Sequence, residues 1–130
     1  MDIAQRVDHT LLDKDAPASA YERLSEEAKR YGTNVCVPPS RLGTVSEVEG
    51  EIAAVVGFPH GTTTSESKAH EARLAVEAGA TEIDMACNVS LLKSDQRDAY
   101  VRDVRAVVDA VSVPVKAIIE TGLLSDDEKR

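Results

Sequence analysis

The sequence has no long apolar run, little positive charge and only two cysteines. No stretch is apolar over the length of a membrane span, and the opening residues, MDIAQRVDHT, lack the basic start and apolar core of a signal peptide. The chain has 15 basic and 23 acidic residues, and its net charge of −8 disfavours binding to nucleic acid or to an anionic membrane. These absences predict a cytoplasmic protein in which Cys36 and Cys87 are reduced thiols rather than a disulfide.

Short apolar runs alternate with helix-forming segments along the 130 residues. The predicted strands are 6–10, 34–37, 52–58, 82–86 and 113–119, and the predicted helices are 17–31, 64–78 and 95–111, with a short helical turn after Pro39. Such alternation implies one α/β domain with parallel strands and right-handed crossovers. Two architectures remain open: a (β/α)8 barrel, which usually needs about 250 residues, and a doubly wound open sheet, which is complete near this length.

Helix faces and ends can be assigned from local patterns. Four valines at helical spacing predict the buried stripe of the last long helix: Val101, Val104, Val108 and Val111. Thr63 with Glu66 predicts a capping box at the start of the second long helix. Ser125 with Glu128 forms another near the end of the chain, where only two residues follow. A helix that short is not stable alone, so we expect the chain to be part of a longer one.

Charged residues interrupt two of the predicted strands. Asp84 lies between Ile83 and Met85, and Lys116 lies in the next strand. A charge within a covered strand costs several kcal/mol unless it is paired, and consecutive strands are usually neighbours. We therefore expect Asp84 and Lys116 to neutralise each other. Spacing alone leaves open whether they form a structural ion pair or a catalytic carboxylate and ammonium.

Histidines and the glycine-bearing loop carry weaker signals. His9, at the end of the first strand, is more typical of a hydrogen-bonded structural residue than of a catalyst. The three histidines and two cysteines together do not show the spacing of a known metal site. His70 is expected on a solvated helix face. The loop GFPHGTTTSESK at residues 57–68 has neither Walker nor dinucleotide-binding spacing. We expect no metal site here.

Five stretches in order along the chain resemble one enzyme family. They are VDHTLL at 7–12, NVCVPP at 34–39, VVGFPHGTTTSESKAHEA at 55–72, GATEIDMACNVSLLKSD at 79–95 and VKAIIETGLLSDDEK at 115–129. Together they are similar to the deoxyribose-phosphate aldolases, class I aldolases of deoxyribonucleotide catabolism. The resemblance implies a (β/α)8 barrel, no cofactor, and reversible cleavage of 2-deoxy-D-ribose 5-phosphate to glyceraldehyde 3-phosphate and acetaldehyde through a lysine Schiff base.

The same resemblance implies roles for individual residues. Asp84 matches the family's proton donor and acceptor, and Lys116 matches a lysine beside it. The residues implied to surround the substrate are Asp8, Thr10, Cys36 and Asn88. Because the Asp84 carboxylate favours the ammonium form, we expect Lys116 to be an electrostatic helper rather than the nucleophile.

The family's Schiff-base lysine lies on the sixth strand in a KTSTG motif, and its phosphate-binding loops follow the seventh and eighth strands. None of these motifs is present in the 130 residues. The resemblance therefore implies that residues 1–130 are the N-terminal portion of one barrel domain, about five of its eight units, inactive alone and prone to self-association through open edges. The alternatives are a non-catalytic half-barrel and a small α/β binding domain, either of which associates with itself or a partner chain.

Overall fold

A computed structural model of the chain describes residues 3–45 and 48–130. Its strands are β1 (Asp8–Thr10), β2 (Asn34–Val37), β3 (Ile52–Val56), β4 (Glu82–Ala86) and β5 (Val115–Ile118), and its α-helices are α1 (Ala18–Tyr31), α2 (Ser65–Glu77), α3 (Val89–Lys93) and α4 (Arg97–Val108). Three short 3-10 helices cover Ala4–Arg6, Pro39–Thr44 and Thr121–Leu123. None of the helices in these ranges combines the length and apolarity needed to span a membrane.

The strands form one parallel sheet in the order β1-β2-β3-β4-β5. A doubly wound sheet reverses the direction in which strands are added at its switch point, whereas a barrel adds each strand on the same side. The sequential order therefore contradicts the doubly wound alternative. Together with the alternating helices, it makes this chain a partial (β/α)8 barrel.

An ion pair between the first and last strands shows how strongly the sheet curls. The Lys116 Nζ on β5 lies 2.6 Å from the Asp8 Oδ2 on β1. In a flat sheet four strand spacings would separate these strands by about 19 Å. The two side chains meet because the sheet bends around the face that carries them, as a barrel wall does around its interior.

Side-chain alternation gives the sheet an outer and an inner face. On the outer face, buried residues of β2, β3 and β4 pack with α1, α2 and α4; they include Val35, Val37, Ala54, Val56, Ile83, Met85, Tyr21, Leu24, Ala72 and Val107. A smaller inner cluster consists of Cys36, Ala53 and Val55, with Leu12 against it. The main core therefore lies on the outer face of the sheet, and the charged residues of β1, β4 and β5 lie on the inner face.

Several predicted element ends shift by a few residues. Strand β3 ends at Val56 instead of residue 58, because Gly57 turns the chain with a φ of +63°. Helix α4 begins at Arg97 instead of residue 95, since Asp95 has a left-handed φ of 54°. Strand β1 begins at Asp8 instead of residue 6, and β5 is shorter than the predicted 113–119 at both ends. Helix α3 was not predicted.

One capping prediction is wrong and the other is confirmed. The N-cap of α2 is Thr64, not Thr63, and its hydroxyl accepts a hydrogen bond from the Ser67 N–H at 3.3 Å. Near the chain's end, the Ser125 N–H donates to the Glu128 Oε2 at 2.7 Å and the Glu128 N–H donates to the Ser125 Oγ at 3.3 Å. These are the reciprocal bonds of a capping box.

The predicted valine stripe of α4 is wrong at two of its four positions. Val101 and Val108 are 52% and 46% exposed, whereas Val104 and Val111 pack against the core. The buried face is centred on Val107, which is fully buried, and on Asp103. The buried face therefore includes a charged residue, which apolar spacing alone could not reveal.

Asp103 joins α4 to α2 through a buried ion pair with Lys68. The Lys68 Nζ lies 2.7 Å from the Asp103 Oδ2, with the two side chains 0% and 3% exposed. The Ser65 hydroxyl donates to the Asp103 Oδ1 at 2.8 Å. The Lys68 stem runs beneath Gly57, where any Cβ would lie 2.9 Å from the Lys68 Cε. This pair thus fixes both the helix packing and the turn after β3.

Replacing Asp103 with alanine should lower the free energy of unfolding by about 3–5 kcal/mol, because Lys68 would be left as an uncompensated buried charge. Urea denaturation followed by circular dichroism measures the change. The exposed Asp109, the C-cap of the same helix, gives the control Asp109→Ala, which should stay within about 0.5 kcal/mol of the parent. Equal losses in the two variants would contradict a stabilising role for the pair.

Candidate active site

Polar side chains from both ends of the sheet gather on its inner face. Asp84 and Lys116 are directly opposite each other in the parallel register of β4 and β5. Asp8 is opposite Asn34 in the register of β1 and β2, and the curl of the sheet brings Asp8 to Lys116. The predicted meeting of Asp84 and Lys116 is therefore confirmed, and Asp8 joins them.

The Lys116 ammonium is surrounded by three carboxylates. Its Nζ lies 2.6 Å from the Asp8 Oδ2, 2.8 Å from the Glu82 Oε1 and 3.5 Å from the Asp84 Oδ1. We call these four residues the Lys116 cluster. Glu82 was not among the predicted site residues, although it precedes Asp84 by two positions, the spacing that places both on one face of a strand. Strand parity would have found it.

Asp84 is the most buried carboxylate of the Lys116 cluster, with its side chain 12% exposed. Burial raises the pKa of Asp84 above its ordinary value, although the Lys116 charge opposes this effect; the charge of Glu82 adds to it. The Asp84 Oδ2 accepts a long hydrogen bond from the Cys36 Sγ at 3.7 Å. A carboxylate in such surroundings is suited to accept and return a proton nearer neutral pH than an exposed one.

The protonation equilibria of Asp8 and Lys116 are shifted toward the charged forms. Burial alone would raise the pKa of Asp8, but hydrogen bonds from Lys116 and Asn34 lower it below the ordinary value. Burial alone would lower the pKa of Lys116, yet hydrogen bonds to Asp8 and Glu82, with the charge of Asp84, raise it above the ordinary value. Lys116 is therefore an ammonium at neutral pH.

Two further predicted site residues, Thr10 and Asn88, and the two histidines interpreted as structural or solvated lie outside the Lys116 cluster. Thr10 lies at the exposed end of β1, where its hydroxyl donates to the Asp8 carbonyl at 2.8 Å. Asn88 follows β4, and its Oδ1 is buried without a hydrogen-bond partner among the described residues. His9 lies on the outer face, with its Nε2 2.7 Å from the Glu27 Oε2. His70 is exposed, as predicted.

A cavity of about 720 Å³ opens at the carboxyl ends of β1, β2 and β3. Its wall includes Leu12, Val55 and Phe58, and it has two basic and two acidic residues: Lys14, Arg41, Asp13 and Glu71. Val55 is opposite Asp84 in the register of β3 and β4, but no residue of the Lys116 cluster is part of the described lining of the cavity. Its volume is in the range of small-molecule sites.

The three carboxylates also have the spacing of a cation site. Oxygen atoms of Asp8, Glu82 and Asp84 all lie within 4.8 Å of one another. The Lys116 ammonium already lies among them, so the compensating positive charge belongs to the protein itself. A divalent cation would fit this position only if Lys116 moved out.

Cys36 should be unreactive in the folded chain. Burial, and after it the charge of Asp84, raise the pKa of the Cys36 thiol to about 12. At about pH 8 its thiolate fraction should be about a thousandfold below that of an ordinary cysteine, and alkylation by iodoacetamide should slow accordingly. Asp84→Asn should accelerate alkylation of Cys36 but not of Cys87, whose pKa is raised by burial and by charges other than that of Asp84. Cys87 is therefore an internal control, and both rates are read by mass spectrometry. Equal acceleration at both cysteines would indicate general loosening and contradict the electrostatic explanation.

Comparisons with known proteins agree with this geometry. Residues 3–129 match the family model described as DeoC/LacD family aldolase. The chain is 45% identical over 134 residues to a deoxyribose-phosphate aldolase of Geobacillus sp. (strain WCH70), covering 98% of this chain and 60% of that protein. It is 39% identical to the deoxyribose-phosphate aldolase of Haloquadratum walsbyi, covering 99% of this chain and 62% of that one.

A solved structure extends the similarity to the fold. The chain superimposes on a tetrameric deoxyribose phosphate aldolase from Aeropyrum pernix with a TM-score of 0.83 at 30% identity, covering 97% of this chain and 56% of that one. The chain thus spans about 60% of the length of the curated relatives it matches. The family match, the strand order and the inner-face cluster lead to one conclusion: this chain belongs to the DeoC/LacD family of aldolases.

Proposed function

We propose that this chain supplies the proton-transferring part of a class I aldolase that reversibly cleaves 2-deoxy-D-ribose 5-phosphate to glyceraldehyde 3-phosphate and acetaldehyde, in deoxyribonucleotide catabolism. The observation that carries the proposal is Asp84, a buried carboxylate with a raised pKa beside a fixed ammonium on the inner face of an aldolase barrel. The proposed substrate is inferred from the relatives, which are named deoxyribose-phosphate aldolases. The two buried free thiols agree with the cytoplasmic location that we also propose.

In this proposal Asp84 accepts and returns the proton that moves during carbon–carbon bond cleavage. Its raised pKa suits this exchange near neutral pH. Lys116 stays protonated and stabilises negative charge that develops beside it. An amine must be neutral to attack a carbonyl, and the three carboxylates around Lys116 oppose that form. The Schiff base is therefore assigned to a lysine of a KTSTG motif, which these 130 residues do not contain.

Substrate contacts are proposed for the remaining predicted site residues. Asp8, Thr10 and Cys36 line the inner face near Asp84, and the unpaired Asn88 Oδ1 can accept a hydrogen bond from a sugar hydroxyl. A buried polar atom without a partner costs free energy, so a ligand hydroxyl at Asn88 would be favoured. The cavity beside Val55 has room for the small aldehyde fragments.

We further propose that residues 1–130 are the N-terminal portion of one barrel domain. Within the described ranges β5 pairs only with β4, and its Lys116 and Ala117 are exposed. On α4, Val101 and Val108 are exposed as well. We call β5 and these two valines the open edge. A barrel would place its next strand beside β5 and its next helix beside α4, which makes the open edge an association surface.

A second candidate function is a non-catalytic half-barrel that associates through the open edge. The observation that favours it is the same exposed surface, combined with a Lys116 that is unsuited to form a Schiff base. Adding the remaining segment of a barrel distinguishes the two proposed functions, because only an aldolase would then turn over the sugar phosphate.

The 130-residue chain, mixed with the segment of the Geobacillus relative that lies beyond the aligned region, should cleave 2-deoxy-D-ribose 5-phosphate. Asp84→Asn should reduce the rate by about 10²–10⁴-fold, because the proton acceptor is lost. Released glyceraldehyde 3-phosphate is measured by a coupled dehydrogenase assay. Asp109→Asn, which removes an exposed carboxylate outside the site, is the matched control.

Borohydride trapping of the same mixture locates the Schiff base. We expect the reduced adduct on the added segment and none on Lys116. An adduct on Lys116, or an Asp84→Asn variant as active as Asp109→Asn, would show that the proposed roles are wrong.

A further inference from the structure

The Lys116 ammonium does not lie where strand register alone would place it. Lys116 is directly opposite Asp84, yet its Nζ is 3.5 Å from the Asp84 Oδ1 and only 2.8 Å from the Glu82 Oε1. Glu82 precedes Asp84 by two residues, about 6.6 Å toward the start of the strand. The lysine side chain therefore leans back along the sheet, toward Glu82 and toward Asp8 at 2.6 Å.

We infer that Glu82 is a positioning residue that holds the Lys116 ammonium away from Asp84. Glu82 and Asp8 take the two short contacts, and Asp84 is left with a contact longer than a normal hydrogen bond. Asp84 is then free to exchange a proton in the reaction proposed above, on which the catalytic meaning of this inference rests. If Lys116 paired tightly with Asp84, it would fix that carboxylate in its ionised form.

All the charged or titratable groups facing Asp84 in the described structure fit this arrangement. They are Lys116 from β5, Asp8 from β1, the Cys36 thiol from β2, and Glu82 on its own strand. Removing the Glu82 charge should lower the pKa of Asp84 for two reasons. It takes away a like charge that disfavours ionised Asp84, and it releases the ammonium to approach Asp84.

The test is a carbon-13 NMR titration of the Asp84 carboxyl in the 130-residue chain. In Glu82→Gln, which keeps the side-chain shape, the apparent pKa of Asp84 should fall by ~1 or more. Glu77→Gln removes the same charge from an exposed position on α2 and should leave the Asp84 titration unchanged. An Asp84 titration in Glu82→Gln that matches the parent, or moves to higher pH, would overturn the inference.

Glu82→Asp covers the case in which Glu82→Gln does not fold. It keeps the charge but withdraws the carboxylate by one methylene, so Lys116 should turn partly to Asp84 and the apparent pKa of Asp84 should fall by a smaller amount. No change in this variant would also overturn the positioning role. The titration requires no turnover, so its failure is distinct from a failure of the aldolase activity proposed above.

Discussion

One ammonium shared by three carboxylates holds the inner face of this sheet together. Lys116 on β5 contacts Asp8 on β1 and both acidic residues of β4, so a single side chain joins the two edges of the sheet. The contact is possible only because the strands curl into part of a barrel. Without the ammonium, three carboxylates would face one another across a few ångströms, and their repulsion would oppose that curvature. The fold and the chemistry of the inner face therefore depend on the same interaction.

Sharing one positive charge among three acids also separates their roles. Asp8, which has a lowered pKa, stays ionised, whereas buried Asp84 has a raised pKa and can carry a proton. The sign of each shift fixes its effect on stability. The contribution of Asp8 is present above its ordinary pKa and is lost as the pH falls through the lowered value. The Asp84 carboxylate disfavours folding increasingly as the pH rises from its ordinary pKa to its raised pKa. The stabilising contribution of Lys116 is fully present below the ordinary pKa of lysine and is lost as the pH rises through its raised pKa.

The sequence predicts the five strands, the three long helices and the meeting of Asp84 with Lys116, because hydrophobic periodicity and chain order can be read directly from it. It does not separate a barrel from a doubly wound sheet, since both have the same alternation and differ only in strand order. The sequence does not predict the Lys68–Asp103 ion pair or the exposure of Val101 and Val108 on α4. Both depend on which helices pack together, and the spacing of residues along one helix does not determine that. Side-chain alternation along β4 could have predicted that Glu82 shares a face with Asp84. The contact between Asp8 and Lys116 could not be predicted in this way, because it depends on the curvature of the sheet.

The central claim is that Lys116 is a permanently charged member of the site and not its nucleophile. An NMR titration of the Lys116 side chain, observed at its Cε, tests this claim most directly. The account predicts that Lys116 keeps its proton beyond the ordinary range of lysine, because Asp8 and Glu82 accept its hydrogen bonds and Asp84 adds a third negative charge. Loss of the Lys116 proton below that ordinary range would contradict the account.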